Sequence, residues 1–98
     1  MKIKEFEKSL SESSPPSHFS EELKSLWHAK KDHWEEAHSI AQDIDNANGY
    51  WIHAYLHRVE GDLGNANYWY RQSGKAMPSV SLSEELEVLI QSFFNENE

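Results

Sequence analysis

Ninety-eight residues carry 9 basic and 17 acidic side chains, a formal net charge of −8, which describes one small acidic domain. That balance argues against nucleic acid and anionic membrane surfaces as partners, because both need clustered Lys and Arg. The absence of cysteine excludes disulfides and thiolate metal sites. No apolar run approaches the ~20 residues of a membrane span. The opening Met-Lys-Ile-Lys-Glu-Phe-Glu-Lys lacks the apolar core of a signal peptide, so a cytoplasmic protein is expected.

Residues 1–18 read as a flexible leader and linker. Ile3, Phe6 and Leu10 have helical spacing, so a short helix could dock there, but Pro15-Pro16 stop any continuation. A single helical domain is expected over 19–98. The first full helix is predicted from Ser20 to Lys31, with Ser20 as N-cap and Glu21-Glu22 at the positive end of the helix dipole. Leu23, Leu26 and Trp27 share its inner face. The second, from His33 to Ile44, carries the stripe Trp34, Ala37, Ile40, Ala41, Ile44, and Asp45 to Gly49 breaks the chain.

The third helix begins at Ala47 or Tyr50 and reaches Glu60, with Ile52, Tyr55, Leu56 and Val59 inward. Gly61 is its C-cap, and Asp62 is placed to cap the fourth helix, Leu63 to Ser73. There Leu63, Ala66, Trp69 or Tyr70, and Ser73 face inward. The last helix spans about Ser83 to Phe94. Ser81 with Glu84 forms a capping box ahead of it, and Leu82, Leu86, Leu89, Ile90, Phe93 and Phe94 form a strong apolar stripe.

A shift of 29 residues superimposes the two helical pairs. Leu23 meets Ile52, Leu26 meets Tyr55, Trp27 meets Leu56, His28 meets His57, and Ala37 meets Ala66. A repeated helical hairpin cannot bury its apolar face alone, so the hairpins should stack. The fold class expected is all-α: a right-handed array of two helical hairpins plus a C-terminal capping helix.

Gly61-Asp-Leu-Gly-Asn-Ala-Asn-Tyr-Trp-Tyr-Arg71, followed by Met77-Pro78, resembles the second half of a tetratricopeptide repeat, and its Trp-Tyr-Arg ending resembles the related Sel1-type repeat. The likeness covers 50–78 and, more loosely, 21–45. The period is 29 rather than 34, and His53 and His57 stand where the family places Leu and an aromatic. The resemblance implies a non-enzymatic protein–protein interaction module. Its groove, formed by the first and third helices, would bind a protein or peptide partner or a second copy of the chain. The stretches Leu26-Trp-His-Ala-Lys-Lys31 and Trp51-Ile-His-Ala-Tyr-Leu-His-Arg58 also resemble a set of small bacterial proteins, a likeness that implies no activity.

Two constellations could carry chemistry. His53 and His57, four apart on one helix, present both rings to one side, and His28 occupies the repeat position of His57. Together these three could hold a divalent metal such as zinc with a position left open for water, as in a metal-dependent hydrolase; the more economical reading leaves them solvated and the protein without a cofactor. The second is aromatic and basic: Tyr50, Trp51, Tyr68, Tyr70, Arg58 and Arg71, a composition common at interaction hot spots. With Lys24, His28, His53 and His57, the residues Tyr50, Arg58, Tyr68 and Arg71 form the candidate binding surface. No nucleophile elbow, phosphate loop or dinucleotide fingerprint occurs. Glu21-Glu22, Glu35-Glu36 and Glu84-Glu85 splay apart on helices and read as solvated faces.

Overall fold

The computed structural model describes residues 2–96, with side chains described from 3 to 94. These residues form six helices: α1 (Lys2–Ser9), α2 (Glu21–Lys30), α3 (Trp34–Gln42), α4 (Ala47–Val59), α5 (Leu63–Ser73) and α6 (Leu82–Glu96). No strand occurs among the described residues, and no helix of theirs is long and apolar enough to cross a membrane.

Local chemistry explains most boundaries. Ser20 accepts the Leu23 N–H at 3.2 Å, Asp62 accepts that of Asn65 at 3.2 Å, and Ser81 and Glu84 exchange hydrogen bonds as a capping box. Asn46 caps α4 by accepting the Gly49 N–H at 3.1 Å. Gly49 is obligatory for a second reason: a Cβ there would stand 2.0 Å from the Ile44 carbonyl oxygen.

The 29-residue repeat is written into the turns. Asp32 and Gly61 occupy equivalent positions and both adopt the left-handed conformation, at φ 62° and 85°. The next residues, His33 and Asp62, have nearly the same backbone angles, φ −96°, ψ 72° and φ −87°, ψ 78°. His33 N–H donates to the His28 carbonyl at 2.8 Å, and Asp62 N–H donates to that of His57 at 3.0 Å. The α2–α3 and α4–α5 hairpins therefore share one turn geometry.

α4 is the centre of the fold, packing against α2, α3, α5 and α6. Its residues Ile52, His53, Ala54, Tyr55, Leu56 and His57 are all buried, an all-round burial expected of a helix with neighbours on every side. Val59 and Leu63, expected inside, are 41% and 54% exposed, because they flank the solvent-facing turn at Gly61.

α6 does not cap an open end. It lies on α2 and α4, the surface expected to form the partner groove, and drives Leu86, Leu89, Ile90, Phe93 and Phe94 into the main core. The leader, expected to be loose, is held on the fold: Phe6 is buried against Phe19 and Phe94, at centroid distances of 6.0 and 5.9 Å. Trp27 reaches the same end, its indole N–H donating to Ser9 Oγ at 3.1 Å.

Glu85, expected on a solvated face, is buried. Its carboxylate accepts from the Arg58 guanidinium at 2.8 Å, from the Tyr70 hydroxyl at 2.6 Å and from the Trp51 indole at 3.3 Å. Charge-assisted bonds of this kind are strong where water is excluded. This network pins α6 to α4 and α5, and it removes Arg58 from the expected binding surface.

Candidate metal centre

Three histidines meet between α3 and α4. His38 comes from α3, and His53 and His57 lie one turn apart on α4. One ring nitrogen from each falls within 4.8 Å of the others. Ring centroids stand 4.6 Å apart for His38–His53, 5.3 Å for His38–His57 and 4.8 Å for His53–His57. Nitrogens bound to one zinc at ~2.1 Å lie roughly 3.4 Å apart, so modest side-chain rotation completes the approach.

Aromatic walls fix these rings. Trp34, one turn before His38, stacks on it at 4.8 Å and 14°. The Trp34 indole N–H donates to the Leu56 carbonyl at 2.7 Å, which ties the wall to α4. On the other side Trp69 of α5 stacks on His53 at 4.3 Å and 18°. His53 and His57 are only 8% and 7% exposed. These walls confine the rings near the positions that a shared ion would need.

The electrostatics keep nitrogen lone pairs available. Burial, with His38 and His57 close by, pushes His53 down from 6.5 to about 4. His38 is lowered for the same two reasons, burial first and then His57, with Glu60 opposing. Neutral imidazole is the form that ligates a metal. His57 Nδ1 lies 2.6 Å from Glu60 Oε1. An ionised carboxylate can only accept, so the bond runs from Nδ1–H to Glu60, the arrangement by which an outer carboxylate orients a ligating histidine. Glu60 and Asp62, both exposed, also bring carboxylate oxygens within 4.8 Å of a His57 nitrogen and of each other.

His28 is not part of this cluster. Its Nδ1 lies 3.4 Å from that of His33, across its own turn, and its pKa is lowered by burial and by His33, with Glu36 opposing. The repeat does place His28 and His57 on equivalent faces. The face of α4 is closed by α3 of the preceding hairpin, whereas among the described residues only the single helix α1 precedes α2. His38 is the third member instead. Its signal in the sequence is the four-residue spacing Trp34–His38, which matches His53–His57 and sets an aromatic one turn from a histidine on the neighbouring helix.

The other expected binding residues are dispersed. Lys24 pairs with Glu21 at 3.4 Å, the Tyr50 hydroxyl donates to Asp45, and Arg71 is exposed on α5. Tyr68, half exposed, packs edge-on against Trp69, so it and Tyr50 border the His53 side of the cluster. No family model matches this chain, and neither a curated protein nor a solved structure matches it.

Proposed function

We propose that this protein binds one divalent transition-metal ion through His38, His53 and His57, on a scaffold of two tetratricopeptide-like hairpins stacked in a right-handed array. The observation that carries this reading is the convergence of three imidazole nitrogens within 4.8 Å, two of the rings almost fully buried. An all-nitrogen set suits zinc, nickel, copper or iron over magnesium or calcium. Three protein ligands leave a fourth position open, as in catalytic rather than structural zinc sites.

The test is a zinc titration of tag-free protein by calorimetry. One ion per chain with micromolar or tighter affinity is expected, lost in His38→Ala and His53→Ala and retained in His28→Ala. Millimolar binding, or equal loss in His28→Ala, would overturn the assignment.

A partner-binding role is the second reading, and one observation redirects it. α6 covers the α2–α4 surface that a peptide would need, so a protein partner is better served by the exposed Val59, Leu63 and Tyr68. Alanine substitution at Leu63 and Tyr68, read by solution mass and pull-down, tests this reading.

A further inference from the structure

A cleft of about 390 Å³ opens between the end of α2, the C-terminal half of α4 and the start of α6, and shares the Trp34 wall with the histidine cluster. Its apolar wall is Trp34, Leu56, Val59, Leu82 and Leu86. The volume lies in the range of small-molecule sites, and apolar walls with a few placed polar groups are their usual composition.

Four polar residues line it: Lys30, Asp32, Tyr55 and Ser83. Tyr55 is 5% exposed, yet its hydroxyl makes no hydrogen bond to any described residue. No fully buried side-chain polar atom among the described residues lacks a partner, so this hydroxyl is left open to the cleft. Lys30 is engaged with Glu87 at 3.5 Å. Asp32 is different: it is exposed at the mouth and makes no ion pair among the described residues. It is held there by a backbone at φ 62°, where an L residue sits at some cost.

We propose that this cleft binds a small protonated primary amine carried on an aromatic or similarly flat apolar body. The ammonium pairs with Asp32, the body lies against Trp34, Leu56 and Leu86, and the Tyr55 hydroxyl meets any oxygen the body carries. Charge complementarity selects an amine over an acid, since Asp32 is free and Lys30 already has its carboxylate. None of this depends on metal binding.

The probe is tryptamine, titrated into the full chain in the presence of EDTA and followed by ¹H–¹⁵N NMR, with 3-indolepropionate as its acidic isostere. Saturable shifts confined to Ala29, Asp32, Leu56, Leu82 and Leu86 are expected, with the acid at least tenfold weaker. Asp32→Asn tolerates the same left-handed backbone and should weaken tryptamine about tenfold while leaving the acid unchanged or tighter. Tyr55→Phe tests the hydroxyl with 5-hydroxytryptamine, whose tighter binding over tryptamine it should abolish. Equal binding of amine and acid, shifts centred elsewhere, no saturation, or indifference to Asp32→Asn would each overturn the proposal.

Discussion

Tyr70 of α5 donates its hydroxyl to the buried carboxylate of Glu85 on α6, 2.6 Å from Oε2 and 2.7 Å from Oε1. The Tyr70 phenol is pushed up by burial first and by this bond second, so it remains a donor throughout the ordinary pH range. Among the described residues, only Arg58 supplies a positive charge to that carboxylate. Arg58→Ala therefore leaves a buried charge unbalanced and should cost about 3–5 kcal/mol. Tyr70→Phe keeps the packing and removes one hydrogen bond, at about 1–2 kcal/mol. Urea unfolding of the two variants should show that order, and a smaller loss in Arg58→Ala than in Tyr70→Phe would contradict it.

Acid should weaken the metal-free protein in a defined window. His53 titrates at about 4 in the folded chain against 6.5 as an ordinary histidine. Between those values the unfolded chain binds the extra proton, so stability is full above pH 6.5 and falls as pH drops toward 4. His53 alone supplies up to about 3 kcal/mol of that slope at 1.36 kcal/mol per pH unit. His38, lowered in the same direction, adds to it. His53→Gln should flatten the dependence of the urea midpoint on pH between 6.5 and 4.

In the proposed metal centre Glu60 would act through His57, to which it is hydrogen-bonded, since it is not one of the three converging histidines. Glu60→Gln removes the acceptor charge that holds the proton on Nδ1. Zinc affinity should fall about tenfold, the lower end of such outer-sphere losses because the carboxylate is 40% exposed. Glu60→Asp should recover part of it. Both should unfold at nearly the same urea concentration as the parent, which separates a positioning role from a structural one.

Gly49→Ala tests the entry to α4. The added methyl carbon would lie 2.0 Å from a backbone oxygen and 2.6 Å from Ile44 Cβ. Neither can give way like a side-chain tip, so the first turn of α4 has to shift, at about 3 kcal/mol. Thermal melting measures the loss. The same residue change at exposed Gly64, where a Cβ meets nothing within 4 Å, should be neutral or stabilising.

The five helices after the leader were legible because their signals are local. Ser20, Asp62 and Ser81 each cap the helix they precede, and the 29-residue register reproduces the turn at Asp32 and Gly61. What sequence could not reveal was which faces meet. The register that relates His28 to His57 is real, but the two faces have different neighbours, and His38 joins the cluster only because α3 packs beside α4. Glu84 and Glu85 are adjacent and chemically alike. A rotation of about 100° between them sends one to the capping box and the other into the core. The apolar stripe of α6 was plain, yet its destination on α2 and α4 depends on contacts far along the chain.

That destination sets a schedule for synthesis. Leu86, Leu89, Ile90, Phe93 and Phe94 complete the core that Phe6, Leu23, Leu26 and Ile52 begin. Until α6 follows, the apolar surface that the two hairpins share is bare. The chain emerges N-terminus first, so it has to pass through a stage in which both hairpins exist and the helix that covers them does not. Commitment to the native state waits for α6, when Phe94 can reach Phe6 and α1 and α6 close over the same core.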